Sequence, residues 1–535
     1  MFSSIAPALS KLVQLFANAN RKLILVNILV AFTVLQFSRK WRRNRLLPPG
    51  PRGLPFFGHY LRWPKSDSRF SHWPYDLAVR YNFGLVYIKN LWTEDIYIND
   101  YDMAIDILEK RSSSYSSRPS HIIANDIGTL GRHMLFMPYN EKWRKMRVAI
   151  HPEMTPTKVQ SYVSFEEAET RIALHKILND PASLPRYMRQ IVGNVTLRIV
   201  YGMDSEIEHD KEFDEMTTVL YTFFGLANDQ PVDIFPPARY LPQFLFPGYK
   251  AGMQLQAMTK KCFNPLMDTV IEKMNSSALD IDTAMAARWW RDRSSLGFDE
   301  TDVSMLAGTM FEGATDTTTG LLMTFIVMSV SYPHVFKTAQ AELDKVCGDH
   351  SPTVHDLSRS EYLKAVCKET LRWFLRDFFR GLPHMYTANV DDFYNGYRIP
   401  AGAILVPNNR AMTFNPKTYG QLYDVYEYEP RRWMDRLEGV GDGPMDEGLP
   451  TFGFGRRVCP GKNMAMMSFW ILASNTMYYF DVGPKQGIEL AKPVDSLGFW
   501  EGKADTSKFY ITPREGRLTE LERDVEVAKE YLRNL

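Results

Sequence analysis

Phe452-Gly453-Phe454-Gly455-Arg456-Arg457-Val458-Cys459-Pro460-Gly461 is the stretch whose reading decides this chain. One cysteine sits in a glycine-bracketed loop, two residues after an arginine, and an apolar, helix-like run over 464–479 follows at once. Gly455 and Gly461 permit backbone angles and close approaches that a Cβ obstructs. Such a loop suits a thiolate held under a metal, with backbone amides turned toward the sulfur and Phe452 shielding it from water. The competing reading is a buried structural cysteine beside a turn, which is what most free cysteines are.

The run fits F-x-x-G-x-R-x-C-x-G at every fixed position, and through it the chain resembles the cytochrome P-450 family, the haem-thiolate monooxygenases. The resemblance implies a mainly α-helical fold with small β-sheets. It also implies haem b (iron protoporphyrin IX), with Cys459 as the axial ligand of the iron. A thiolate ligand pushes electron density onto iron, and coordination keeps the sulfur deprotonated. Amides donated to the sulfur tune the potential. Arg457 is placed to pair with a haem propionate, because guanidinium matches carboxylate geometry.

Other motifs agree. Glu141–Ile150 reads as a helix that puts Trp143 and Arg147 on one face at i and i+4. The resemblance makes them W-x-x-x-R, whose members contact the propionates, although such a pair could bind a carboxylate without haem. Arg144 and Lys145 point elsewhere and could dock an acidic reductase or simply contact water. Residues 301–330 form the best helix, with Asp299, Glu300 and Asp302 suited to its positive end. Its middle, Gly313-Ala314-Thr315-Asp316-Thr317-Thr318-Thr319-Gly320, is a poor helix former. Threonine hydroxyls there can bond back and bend it. This resembles the family's A/G-G-x-D/E-T-T motif, with Ala314 where a second glycine is usual. Asp316 and Thr317 become the catalytic acid-alcohol pair that relays protons; otherwise the helix is a bent core element with a polar stripe.

Glu369 and Arg372, at i and i+3 in a helix over 361–374, match E-x-x-R, and Arg432 resembles the third partner of that ion network. The implied role is structural. Arg431 occupies a place where relatives often carry an acid. The segment 374–380 is aromatic and charged where many relatives are proline-punctuated, and then comes Gly381-Leu382-Pro383-His384. His384 reaches a propionate or is a satisfied structural histidine.

With 535 residues and 45% hydrophobic content the chain can bury a large core. Basic and acidic residues nearly cancel, 63 against 62, so no bulk charge points to nucleic acid. Cys262, Cys347 and Cys367 lack metal-ligand spacing and read as reduced packing residues. Residues 1–47 read as a membrane anchor: 23–37 are mostly apolar, and Arg39, Lys40, Arg42, Arg43 and Arg45 follow. The positive-inside rule puts the body, 48–535, in the cytosol. A cleaved signal peptide is the rival. The proline-rich stretch from Pro48 makes a stiff hinge. A hairpin is expected over 83–100, and a solvated helix over 515–535. The aromatic region 221–249 would lid the cavity and touch the bilayer. Pocket contacts are expected from 120–136, 221–227 and 496–501.

The resemblance runs from Pro48 to Pro513 and implies one reaction. An apolar small molecule receives one oxygen atom from O2, with electrons from NADPH delivered by a cytochrome P-450 reductase. The setting is the endoplasmic reticulum membrane, single-pass, and the sequence style is that of fungal specialised metabolism. Haem-thiolate isomerase, dehydratase or peroxygenase activity is the first alternative, and a non-enzymatic haem-binding protein the second.

Overall fold

The computed structural model describes residues 44–54, 57–62, 68–203, 209–227, 230–235, 240–276, 283–377, 381–435, 448–486, 488 and 506–534. The anchor expected over 1–47 therefore lies almost wholly outside the described residues, as do 378–380 and the pocket segment 496–501. Among the described residues no single helix is long and apolar enough to cross a membrane.

The chain is mainly helical. The helices that matter here are α1 (Ser68–Arg80), α2 (Glu141–Ile150), α3 (Val163–Asn179), α4 (Leu184–Tyr201), α5 (Asp210–Ala227) and α6 (Tyr249–Asn275). They continue with α7 (Met285–Leu296), α8 (Glu300–Ser331), α9 (Pro333–Cys347), α10 (Glu361–Asp377), α11 (Lys462–Tyr479) and α12 (Arg517–Arg533). The strands are short: β1 (Leu85–Asn90), β2 (Thr93–Ile98), β3 (His384–Met385), β4 (Asp392–Tyr394), β5 (Tyr397–Ile399), β6 (Ile404–Pro407), β7 (Phe480–Pro484) and β8 (Phe509–Pro513).

The contacts divide into two compact units. Among the described residues, 44–49 with Ala388–Ala401 form the smaller one, and those within Gly50–Thr387 and Gly402–Leu535 the larger. In the smaller, β4 and β5 pair antiparallel, Arg398 N–H donates to the Leu46 carbonyl at 2.6 Å, and Arg398 pairs with Asp391 at 2.9 Å. In the larger, the sheet runs β1-β2-β6-β3, with β2 and β6 parallel and the other pairs antiparallel. The expected hairpin over 83–100 is the β1–β2 pair. The short β3 carries His384, registered against Leu405.

Helix α8 is the spine of the larger unit, with α4, α5, α6, α7, α10 and α11 packed around it. Its start is fixed by a capping box: the Asp299 carboxylate accepts from Asp302 N–H, and Asp302 accepts from Asp299 N–H. The apolar core falls into one large group where α8 meets α10 and α11, and another where it meets α5, α6 and α7. Helix α12 is not fully solvated, as its charged sequence led us to expect. Leu521, Val525 and Ala528 are buried on its α3-facing side, because apolar residues at such spacing share a helix face.

Candidate active site

The cysteine loop is built on backbone geometry. Cys459 N–H donates to the Phe452 carbonyl at 2.8 Å, which closes the loop. Gly453 and Gly455 both have positive φ, at 73° and 56°. At Gly455 a Cβ would also drive into the Leu108 carbonyl oxygen, so only glycine lets the loop sit against the Ile105–Lys110 turn. The Gly461 N–H points at the cysteine sulfur, and a Cβ on Gly461 would lie 3.9 Å from Sγ.

Cys459 is surrounded by protein and yet presents accessible surface, as a group does that lines an internal space. Burial pushes its thiol up, while the Gly461 amide and the Arg147 guanidinium favour the thiolate. The other three cysteines are buried, in agreement with a packing role. Their thiols are also pushed up by burial, to about 12 or beyond, with no arginine-and-amide combination to offset it.

Three arginines gather around the same region. Arg457 is buried, and its guanidinium donates to the carbonyls of Ser116 at 2.7 Å and Met137 at 2.6 Å. It stacks over the Trp143 ring at 4.2 Å, while Trp143 Nε1–H donates to the Met134 carbonyl at 3.2 Å. Arg118, also buried, donates to the carbonyls of Leu135, Leu382 and Pro383. Arg147 is half-buried on α2. Burial pushes Arg457 down to about 8, helped by Arg118 and Arg147, and pushes Arg118 down to about 9. An arginine nevertheless keeps its proton. No carboxylate among the described residues forms an ion pair with any of the three. His384 completes the cluster: buried on β3, it donates from Nδ1 to the Tyr115 carbonyl at 2.8 Å. Burial, then Arg118, hold its pKa well below the usual range, so the ring is neutral.

Helix α8 carries Asp316 and Thr317, the acid and the alcohol singled out in the sequence. Thr317 Oγ1–H donates to the Gly313 carbonyl at 2.7 Å, the back-bond expected from the sequence. Gly313 and Thr317 are exposed in a helix that is otherwise nearly all core, and a Cβ on Gly313 would meet nothing within 4 Å. Asp316 accepts from the Tyr221 hydroxyl on α5 at 3.3 Å, and its Oδ2 is buried without a partner. Burial raises Asp316 to about 6, with Glu312 adding to the rise and Tyr221 and Arg189 opposing it.

The donor set fits a haem. An approachable sulfur, an open helix face at Gly313 and three arginines, two buried and one half-buried, without carboxylates complement a flat iron macrocycle carrying two propionates. Cys459 would bind the iron. Arg118, Arg147, Arg457 and His384 would hold the carboxylate edge, with Trp143 supporting Arg457. The sequence reading passed over Arg118. Its signal was the Arg118-Pro119 pair in a stretch without acids (residues 111–125), which is weak without the fold.

The Glu369 network stands apart from this cluster. Glu369, wholly buried, accepts from Arg372 at 2.7 and 2.9 Å, from Arg432 at 3.1 Å, from Trp433 Nε1–H at 2.9 Å and from Glu429 N–H at 3.0 Å. Burial opposes its charge, but the two arginines and the amide hold its pKa below the ordinary value. Arg431, the departure noted in the sequence, pairs at the surface with Glu429 at 2.8 Å.

These features fit a haem site with a cysteine ligand on a mainly helical frame. Comparison with known proteins agrees: the family described as Cytochrome P-450 matches residues 48–500. A cytochrome P-450 monooxygenase of Armillaria gallica is 30% identical over 502 residues, 91% of this chain and 93% of that protein. The monooxygenase virE of Hypocrea virens is 30% identical over 85% of this chain and 84% of its own. The monooxygenase claR of Ampulloclitocybe clavipes is 31% identical over 90% and 88%. The chain belongs to the cytochrome P-450 family and is an oxidoreductase of the monooxygenase class.

Proposed function

We propose that this protein hydroxylates or otherwise oxidises an apolar small molecule, an intermediate of fungal specialised metabolism, with electrons passed from NADPH by a cytochrome P-450 reductase. The observation that carries the reading is the pairing of an approachable Cys459 with an acid-alcohol pair on α8. Bound haem would supply oxygen activation, which the axial thiolate favours. The chain's own residues do the rest. Asp316, near neutrality in its affinity for protons, exchanges them at working pH. Thr317, anchored to the Gly313 carbonyl, presents its hydroxyl oxygen as the acceptor beside that acid. The Glu369, Arg372 and Arg432 network keeps the frame rigid and takes no part in the chemistry.

Phe452 shields the sulfur, Gly461 turns an amide toward it, and Arg147, Arg457 and His384 grip the propionates. We assign residues 1–47 to a single-pass anchor in the endoplasmic reticulum membrane, with the catalytic domain, 48–535, facing the cytosol. Bilayer contact near 240–245 is supported by Tyr240, Leu241, Phe244 and Leu245, all exposed; Tyr240 reaches 85%. The intact Asp316-Thr317 pair weighs against isomerase or dehydratase chemistry, which reduces no O2 and so delivers no protons to it.

The test is a carbon monoxide difference spectrum of the reduced protein. A red-shifted Soret band that Cys459→Ser abolishes is expected, and its survival in that variant would remove Cys459 from the iron. NADPH-dependent turnover with a reductase, in a host making candidate metabolites, then separates the monooxygenase from the haem-binding alternative.

A further inference from the structure

Glu312 lies one helical turn before Asp316 on α8, at the i,i+4 spacing that makes side chains neighbours. It is buried, and so is its partner His133, whose Nε2 is 3.1 Å from Glu312 Oε2. The Leu135 N–H points at His133 Nδ1 at 3.4 Å, which leaves the proton on Nε2, facing the carboxylate. Phe223 of α5 stacks flat on the His133 ring, 4.3 Å away at 15°, and closes the pair from above. Tyr201 and Cys262 face Glu312 from α4 and α6, and Tyr221 and Arg189 face Asp316 from α5 and α4.

A buried Glu-His pair is poor evidence for a stabilising role, since apolar residues of similar volume fill a core at least as well. Three polar atoms around the two acids are buried with no protein partner: Asp316 Oδ2, Thr315 Oγ1 and Tyr201 Oη. Buried orphans of this kind are ordinarily satisfied by ordered water.

We propose that Glu312 is the second acid of the proton relay, supplying Asp316 from behind. In this step the Glu312 carboxyl gives its proton to a bridging water, and that water gives one to Asp316 Oδ2. The Glu312 carboxylate left behind accepts the Nε2–H bond of His133, and solvent later restores its proton. Monooxygenation takes up two protons per turnover, and two acids a turn apart can hold both. The inference rests on the reading of Asp316 as proton donor given above. Glu312 opposes ionisation of Asp316 across that turn, which supports it.

Glu312→Gln tests it, because glutamine keeps the shape and still accepts from His133 while carrying no acidic proton. The expected result is a loss on the order of tenfold in product formed per NADPH. Hydrogen peroxide should rise correspondingly, with substrate binding and haem content unchanged. Infrared spectra of the haem-free and haem-loaded protein give a reading independent of activity. A deuterium-sensitive buried carboxyl band should vanish in Glu312→Gln, and the Asp316 titration should move to lower pH. If Asp316→Asn uncouples and Glu312→Gln does not, the second acid is ruled out while the relay stands. If neither uncouples, the relay reading falls as well. Should Glu312→Gln fail to fold, a wild-type infrared titration with no second buried carboxyl responding alongside Asp316 would overturn the proposal.

Discussion

Two clusters of buried arginine, similar in composition, behave as opposites. Arg372 and Arg432 close on Glu369, and every oxygen of that acid is occupied by a donor from the protein. Among the described residues, Arg118 and Arg457 contact carbonyls and the Trp143 ring, and Arg147 acts on Cys459 and Arg457. Where the chain supplies the counter-charge itself, the arginines are structural. Where none is supplied among the described residues, we read their charge as directed at a ligand. The contrast separates frame from site without reference to any relative.

The largest effect should come from opening the closed cluster. Glu369→Gln leaves two buried arginines without their anion and is expected to cost about 3–5 kcal/mol in denaturant unfolding, whether or not haem is bound. A cost below about 1 kcal/mol, the size of a surface pair, would dissolve the contrast. Next comes Arg457→Gln in the open cluster. Here the haem-free protein should change little, while haem retention weakens by about 1.5–3 kcal/mol, read as faster transfer of haem to a competing apoprotein. Equal losses in both forms would show that this arginine, too, serves the frame.

Thr317→Ala should leave stability and haem content alone and lower product per NADPH on the order of tenfold, with hydrogen peroxide taking up the difference. Unchanged coupling would remove Thr317 from the proton role.

A further test concerns two buried acids with opposite signs. Burial raises Glu166 from the ordinary 4.5 to about 8, and the Ser468 hydroxyl donating at 2.6 Å offsets this only in part. Its folded-state pKa exceeds the unfolded one, so its contribution is full below 4.5 and is lost as pH rises through about 8. Glu369 is depressed, so its contribution is present above the ordinary carboxylate pKa and disappears as pH falls through the folded value. Melting temperatures of wild type and Glu166→Gln should therefore diverge in favour of the variant as pH rises. A flat difference would show that Glu166 is not held in the neutral form.

Local chemistry made much of this legible in the sequence. The Cys459 loop carries its own geometry in Gly453, Gly455 and Gly461, and α8 announces both its cap at Asp299 and its back-bonding threonine at 317. Arg118, His133 and Tyr221 could not be read as members of the site. Their partners lie 264, 179 and 95 residues away, and nothing in the local pattern marks them. The partly buried face of α12 was missed because charged residues dominate its composition, although Leu521, Val525 and Ala528 share one face.

The bare Cα of Gly455 has a wider consequence. Since it rests on the Leu108 carbonyl, the height at which the sulfur is offered is gauged by a turn about 350 positions upstream. Substitutions in Ile105–Lys110 would therefore be expected to shift how Cys459 is presented without altering a single residue of its own loop.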